Sequence, residues 1–117
     1  MDNCIFCKIA KHEIESDIVF ENDDLICFKD IHPVAPVHVL IMPKKHFDDI
    51  IQMAKANEDG RIAMDAILAA IPVIASICGV EKNGFRLINN NGTDGGQTIP
   101  HVHFHMIGGR EFGAKIF

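Results

Sequence analysis

Near its C-terminus the chain reads GGQTIPHVHFHMIGG, where His101, His103 and His105 alternate with Val102, Phe104 and Met106. A period of two marks a β-strand, because successive side chains leave opposite faces of the pleat. The segment is therefore expected in a sheet, its histidines on one face and its apolar residues turned into a core. Gly108 and Gly109 are expected to end it. A single core histidine is commonly a hydrogen-bonded packing residue, but three in succession make a poor apolar surface. The histidine face reads as a site. Two chemistries suit it: metal ligation and nucleophilic attack on phosphorus.

The rest of the chain supplies neighbours for such a strand. DIVFEND and DLICFKDI predict two strands joined by the acidic turn at Asn22–Asp24, and VHVLIMP predicts a third, closed by Pro43. HFDDIIQMAKA predicts a short helix. A longer one follows, capped by Asn57, with Ile67, Ile71, Ile74 and Cys78 recurring on one face. Pro72 falls inside that pattern and predicts a kink or a division, while Gly79 predicts the stop. GFRLIN predicts another strand and NNGTDGGQ a turn segment. Strands, two helices, then strands predict an α+β fold on a mostly antiparallel, five-stranded sheet.

At 117 residues and 48% apolar, the chain suits one compact domain spanning residues 1–117. A net charge of −5 argues against a broad nucleic-acid surface, which must neutralise many phosphates. No apolar run reads as membrane-spanning, and MDNCIFCKIA lacks the order of a signal peptide. A cytoplasmic protein with neither nucleic acid nor membrane as partner is expected. Cys27 and Cys78 stand in apolar settings and read as buried thiols. Cys4-x-x-Cys7 is, in such a chain, more often a metal or redox pair than a structural disulfide.

On the residues alone, both chemistries stay open at the histidines. Same-face positions in a strand lie about 6.5–7 Å apart, so two imidazoles can converge on one ion. Just upstream, however, NNNGTDGGQT is rich in glycine and side-chain amides. Such a turn can aim N–H groups at a phosphate, with Asn90, Gln97 and Thr98 as further donors. A phosphate beside a neutral imidazole suits histidine as a phosphorus nucleophile.

HVHFHMI also fits the histidine triad signature, His-φ-His-φ-His-φ-φ with φ apolar. CIFCKI, DIHPVAPVHVLIMPKKH and NNGTDGGQTIPHVHFHMIGGR follow in the same order as in that superfamily of nucleotide hydrolases and transferases. Over most of its length the chain resembles the Hint branch. The resemblance implies a homodimer in which two sheets join into one of ten strands. It implies that His103 attacks the α-phosphorus of a purine nucleoside 5'-phosphoryl substrate, while His105 contacts the phosphate or leaving group. The backbone carbonyl of His101 would orient the nucleophile, and His38 would support the triad from the adjacent strand. Asn90, Gly96, Gln97 and Thr98 would lie on the phosphate side, with the Thr98 hydroxyl helping to protonate an amine leaving group. Asp30 matches a carboxylate that binds ribose hydroxyls. Phe6, Ile9, Phe28 and Ile31 would form the apolar purine slot.

Cys4, Cys7, His46 and His101 match the ligands of a structural zinc in some bacterial-type relatives. Four protein donors close such a site and leave no catalytic position. The implied function is hydrolysis of AMP–amine conjugates to AMP through a covalent nucleotidyl-histidine, with no cofactor in the chemistry. Two other functions share the triad: a Fhit-like dinucleoside polyphosphate hydrolase, and a nucleotide-binding scaffold with incidental catalysis. The short tail GGREFGAKIF favours the Hint branch.

Overall fold

Around the histidine segment the chain builds a five-stranded sheet in the order β1 (Ile18–Glu21), β2 (Leu25–Lys29), β3 (Val37–Pro43), β5 (Phe104–Gly108), β4 (Phe85–Asn89). All neighbouring pairs are antiparallel. The computed structural model describes residues 3–117; the first two residues of the domain read as 1–117 lie outside the described range. The α+β fold is the expected one.

Among the described residues three helices cover the sheet rather than two: α1 (Ile5–Ala10), α2 (Ile50–Lys55) and α3 (Asn57–Ile77). The two faces of the central strands are sorted between them by the period of two. Leu25, Cys27, Val39, Ile41, Val102, Phe104 and Met106 pack with Met53, Ile67, Ala70 and Ile74 of α2 and α3. Ile26, Phe28, Leu40 and Met42 pack instead with Phe6, Ile9 and Ala10 of α1. Both faces of β2 and β3 are thus covered, which suits their nearly unbroken apolar runs. α1 was not legible because its cap is a thiol: Cys4 Sγ accepts from the Cys7 N–H at 3.3 Å, whereas oxygen side chains are the usual N-caps.

Several boundaries differ from the sequence reading. The last strand begins at Phe104, so His101 and His103 lie in the segment leading into it. The ladder stops there with Phe104 facing Asn89, the last residue of β4, and Ile41 of β3, which itself runs on to Pro43 paired with β2. Before that point the Val102 N–H donates to the Phe47 carbonyl. α3 runs through Pro72 undivided. The proline is exposed, and the turns on either side are held to the sheet by buried Ala70, Ile74 and Ala75, which offsets the lost N–H. Asn57 does not cap α3; with φ 55 it forms the left-handed joint between α2 and α3, a conformation asparagine tolerates. Asp49 caps α2, accepting from the Gln52 N–H at 2.8 Å. Cys78 is only half-buried, at the end of α3, and Gly79 follows with φ 73. Contrary to the sequence reading, α3 does reach membrane-spanning length, with 21 largely apolar residues. In the fold its apolar side is the lid of the core.

Ile74 is fully buried at the centre of that contact. Truncating it leaves a cavity under α3, so Ile74→Ala is expected to cost about 2–5 kcal/mol. Urea unfolding checks this: the midpoint should fall with the slope unchanged. A midpoint within error of the parent's would mean that α3 does not hold the sheet.

Candidate active site and metal centre

The alternation set up by β5 continues upstream past the end of the ladder. Val102 points under α3, while His101, His103 and His105 stand on the α1 face, their rings against Phe6 and one another. The chain is held there by side chains where strand pairing has ended. Asn89 Nδ2 donates to the His103 carbonyl at 2.9 Å.

Hydrogen bonding assigns each imidazole its tautomer. His103 Nδ1 lies 2.8 Å from the His101 carbonyl. A carbonyl only accepts, so Nδ1 carries the proton and Nε2 is left as a lone pair. His103 is buried, and desolvation holds its pKa below the usual 6.5, outweighing the carbonyl and Asp30. The ring is therefore neutral at neutral pH and nucleophilic at Nε2.

The second assignment runs through three groups. The Val34 N–H donates to His38 Nδ1 at 3.1 Å, which places the His38 proton on Nε2. That nitrogen lies 2.9 Å from His105 Nδ1, so Nδ1 of His105 accepts and its Nε2 bears the proton. Burial, with His103 and His38 adding to it, pushes His105 down to about 4. Side by side, the face thus offers one imidazole lone pair and one imidazole N–H. The rings of His103 and His105 are 5.2 Å apart.

Asp30 closes this group. Its Oδ1 accepts from the His32 N–H at 2.8 Å, and its Oδ2 lies 3.4 Å from His38 Nε2. One oxygen is thus engaged by backbone. Phe6, Ile9 and Phe28 are buried in one cluster, Phe6 and Phe28 edge to face at 5.6 Å. Ile31 stands apart from them, 86% exposed.

In the glycine-rich loop, polar side chains brace the backbone. Asn90 Nδ2 donates to the Gly95 carbonyl, and Gln97 Oε1 accepts from the Gly92 N–H. The N–H groups of Gly96 and Gln97 close turns onto Thr93 and Gly92. Gln97 Nε2 donates to the carbonyls of Asp48 and Ile99, at 2.7 and 3.0 Å. Gly95 has no room for a side chain: a Cβ would come within 2.4 Å of the Asn91 carbonyl oxygen. Thr98, at the exit of the loop, is exposed.

At the other end of the histidine segment, one ligand atom from each of Cys4, Cys7, His46 and His101 lies within 4.8 Å of the rest. This group could hold a metal ion, and its hydrogen bonds fit that use. His101 Nε2 donates to the Pro43 carbonyl at 2.8 Å, turning Nδ1 toward Cys4 and Cys7, each with Sγ at 3.5 Å. His46 Nε2 donates to Asp48 Oδ1 at 2.7 Å, turning its Nδ1 to Cys7 Sγ at 3.2 Å. Both rings present a lone pair to the centre and anchor the opposite nitrogen, the arrangement expected of metal-bound histidine. Burial pushes His101 down to about 4, keeping it neutral. Burial and then Cys4 push the Cys7 thiol up to about 11, a proton that metal binding displaces.

Asp48, Asn89, Val34 and Pro43 were not foreseen. Asp48 stands two positions after His46, and Asn89 is a polar end to an apolar strand; these were the available signals. Val34 and Pro43 act through backbone groups, which carry no residue-type signal.

A neutral imidazole with its lone pair free beside a second imidazole N–H, on the helix-covered face of an antiparallel sheet, suits a histidine triad domain. The chain belongs to the HIT domain family, which it matches over residues 11–112. It is 42% identical to protein HitA of Neisseria gonorrhoeae over 108 residues, covering 92% of this chain and 97% of that one. It is 37% identical to the purine nucleoside phosphoramidase of Escherichia coli strain K12 over 115 residues, covering 98% of this chain and 94% of that one. The HIT family hydrolase from Clostridium thermocellum superposes with a TM-score of 0.92 at 42% identity, covering 100% of this chain and 99% of that one.

Asp48→Ala removes the carboxylate that anchors His46 but keeps every ligand. Metal affinity should fall about 10–100-fold, read by competition with a chromophoric chelator. An unchanged affinity would remove Asp48 from the metal centre.

Proposed function

We propose that this protein is a nucleotide hydrolase that cleaves the P–N bond of purine nucleoside 5'-phosphoramidates, releasing the nucleotide and an amine. The observation that carries the reading is the lone pair held at His103 Nε2 by the His101 carbonyl. Support for a P–N substrate comes from the likeness to the phosphoramidase of Escherichia coli.

His103 Nε2 attacks the α-phosphorus, and the bond to the amine breaks as the Nε2–P bond forms. Nδ1 keeps its proton throughout, so the positive charge that develops on the ring is shared with the His101 carbonyl. His105 presents its Nε2–H to the phosphoryl oxygens or the leaving group, and the Thr98 hydroxyl delivers a proton to the departing nitrogen. Water then attacks the nucleotidyl-histidine and returns His103 to its starting state. Phe6, Ile9 and Phe28 hold the purine, with exposed Ile31 closing over it. Asp30 takes the ribose hydroxyls through Oδ2, and Asn90, Gly96 and Gln97 hold the loop in register beside the phosphate.

The metal at Cys4, Cys7, His46 and His101 is zinc in this reading: two thiolates and two imidazoles at the corners of a small polyhedron are a zinc donor set. When bound it supplies rigidity, and the chemistry needs no metal. The chain works as a homodimer, joined through edge strand β4, where Leu87 is exposed, and through the exposed apolar residues Leu68, Val73 and Ile77 of α3. It acts in the cytoplasm.

Hydrolysis of adenosine 5'-phosphoramidate by the purified protein tests the proposal, with AMP release expected. His103→Ala should lower the rate on the order of 10⁴-fold while AMP still binds. A variant keeping a tenth of the parent rate would falsify the nucleophile assignment. The pH profile is a second test. His103 must be neutral to attack, and its pKa lies below 6.5. The acid limb of kcat/KM, which reports the free enzyme, should therefore fall below pH 6.5, with full activity above it. An acid limb above that value would contradict a desolvated His103.

A further inference from the structure

Three features set Cys4 and Cys7 apart from the other thiols. They are paired, on the first turn of α1, where the Cys7 N–H donates to Cys4 Sγ at 3.3 Å. One of them is reached from outside: a cavity of 360 Å³ is lined by Cys4, with His46, Asp48 and Ile99 among its other walls, but not by Cys7. They are also wired to the catalytic face at two points. His101 points its Nδ1 at both sulfurs, while its carbonyl holds the His103 ring. His46 points at Cys7 and leans on the Asp48 carboxylate, while the Asp48 carbonyl accepts from Gln97 of the phosphate loop. Cys27, in contrast, is fully buried, and its thiol is pushed up to about 12 by burial.

We propose that Cys4 and Cys7 are an oxidation site for small peroxides, and that closing them into a disulfide expels the metal and slows turnover at His103. The last clause rests on the hydrolase function proposed above. Metal-bound cysteines are thiolates, the form that reacts. Cys4, facing the cavity, attacks one peroxide oxygen; the O–O bond breaks, Cys4 becomes a sulfenic acid, and hydroxide leaves. The Cys7 thiolate then attacks the Cys4 sulfur, forming the S–S bond and releasing a second hydroxide. The two sulfurs lose two electrons, hydrogen peroxide gains them, and two solvent protons complete two waters. Only His46 and His101 then remain as donors, too few to retain zinc. Freed of the ion, His101 loses one of the contacts that set its carbonyl, and the loop loses its tie through Asp48. The partner oxidant is a small peroxide because the ligand atoms lie deep: Cys4 and Cys7 are 8% and 6% exposed.

The experiment treats the zinc-loaded, full-length protein with hydrogen peroxide, beside a Cys78→Ala variant that removes the half-buried thiol. Four quantities are read: zinc release with a chelating dye, intact mass, the disulfide by peptide mapping, and phosphoramidate kinetics. The expected result is one zinc released per chain, a chain lighter by two hydrogens with Cys4 joined to Cys7, and kcat lowered about tenfold with KM little changed. A thiol reductant plus zinc should restore all of these, and Cys78→Ala should behave as the parent. Zinc retained while both thiols stay free overturns the proposal, as does zinc lost and the disulfide formed with kcat unchanged. If reduced, loaded protein fails to turn over phosphoramidate at all, the function proposed above falls and takes the kinetic clause with it. Zinc release and mass then still decide whether the pair is an oxidation site.

Discussion

The hydrogen bond from His103 Nδ1 to the His101 carbonyl, at 2.8 Å, is the contact around which the rest of the structure is arranged. It joins two consecutive same-face residues, and so depends on the chain staying extended past the end of the sheet ladder. Several groups share that task. The Asn89 side chain holds the His103 carbonyl, the Phe47 carbonyl holds the Val102 N–H, and the Pro43 carbonyl holds the His101 ring. None of these is a strand pairing. Each replaces one, leaving the histidine edges free on the α1 face.

A sheet covered on both sides is what allows such a face to exist. α3 and α2 cover the larger apolar cluster, and a second, smaller one lies on the histidine side under α1. α1 covers that side only in part. Phe6 and Ile9 make it apolar and dry enough to keep three imidazoles neutral. Desolvation thus acts on both histidines alike, keeping His103 and His101 uncharged. Two distinct environments share one segment because each histidine has its second nitrogen or its carbonyl committed to a different partner.

Much of this was legible in the residues. The alternation in HVHFHMI placed the histidines opposite Val102, Phe104 and Met106, and the structure sorts them that way. The strands and the helix over Ile67, Ile71 and Ile74 were likewise readable, since hydrophobic period is a local property. What failed were boundaries and roles set by distant partners. Strand β5 starts late because β4 ends at Asn89 and the chain before Phe104 bonds elsewhere, the Val102 N–H to the Phe47 carbonyl. Pro72 is tolerated because the turns around it are held to the sheet. Gln97 looked like a free amide donor, yet it spans to Asp48 across 49 positions.

Sequence alone decided which side chains share a face, where glycine must turn the chain, and which residue types are present for the chemistry. These follow from backbone periodicity and sterics within a few neighbours. Tertiary structure decided which nitrogen of each histidine carries a proton, and that Cys4 and His101, 97 positions apart, meet at one centre. A tautomer is set by the group opposite the ring, and a ligand set by which chain segments the core brings together. Both are properties of contacts made only when the sheet has closed against its helices.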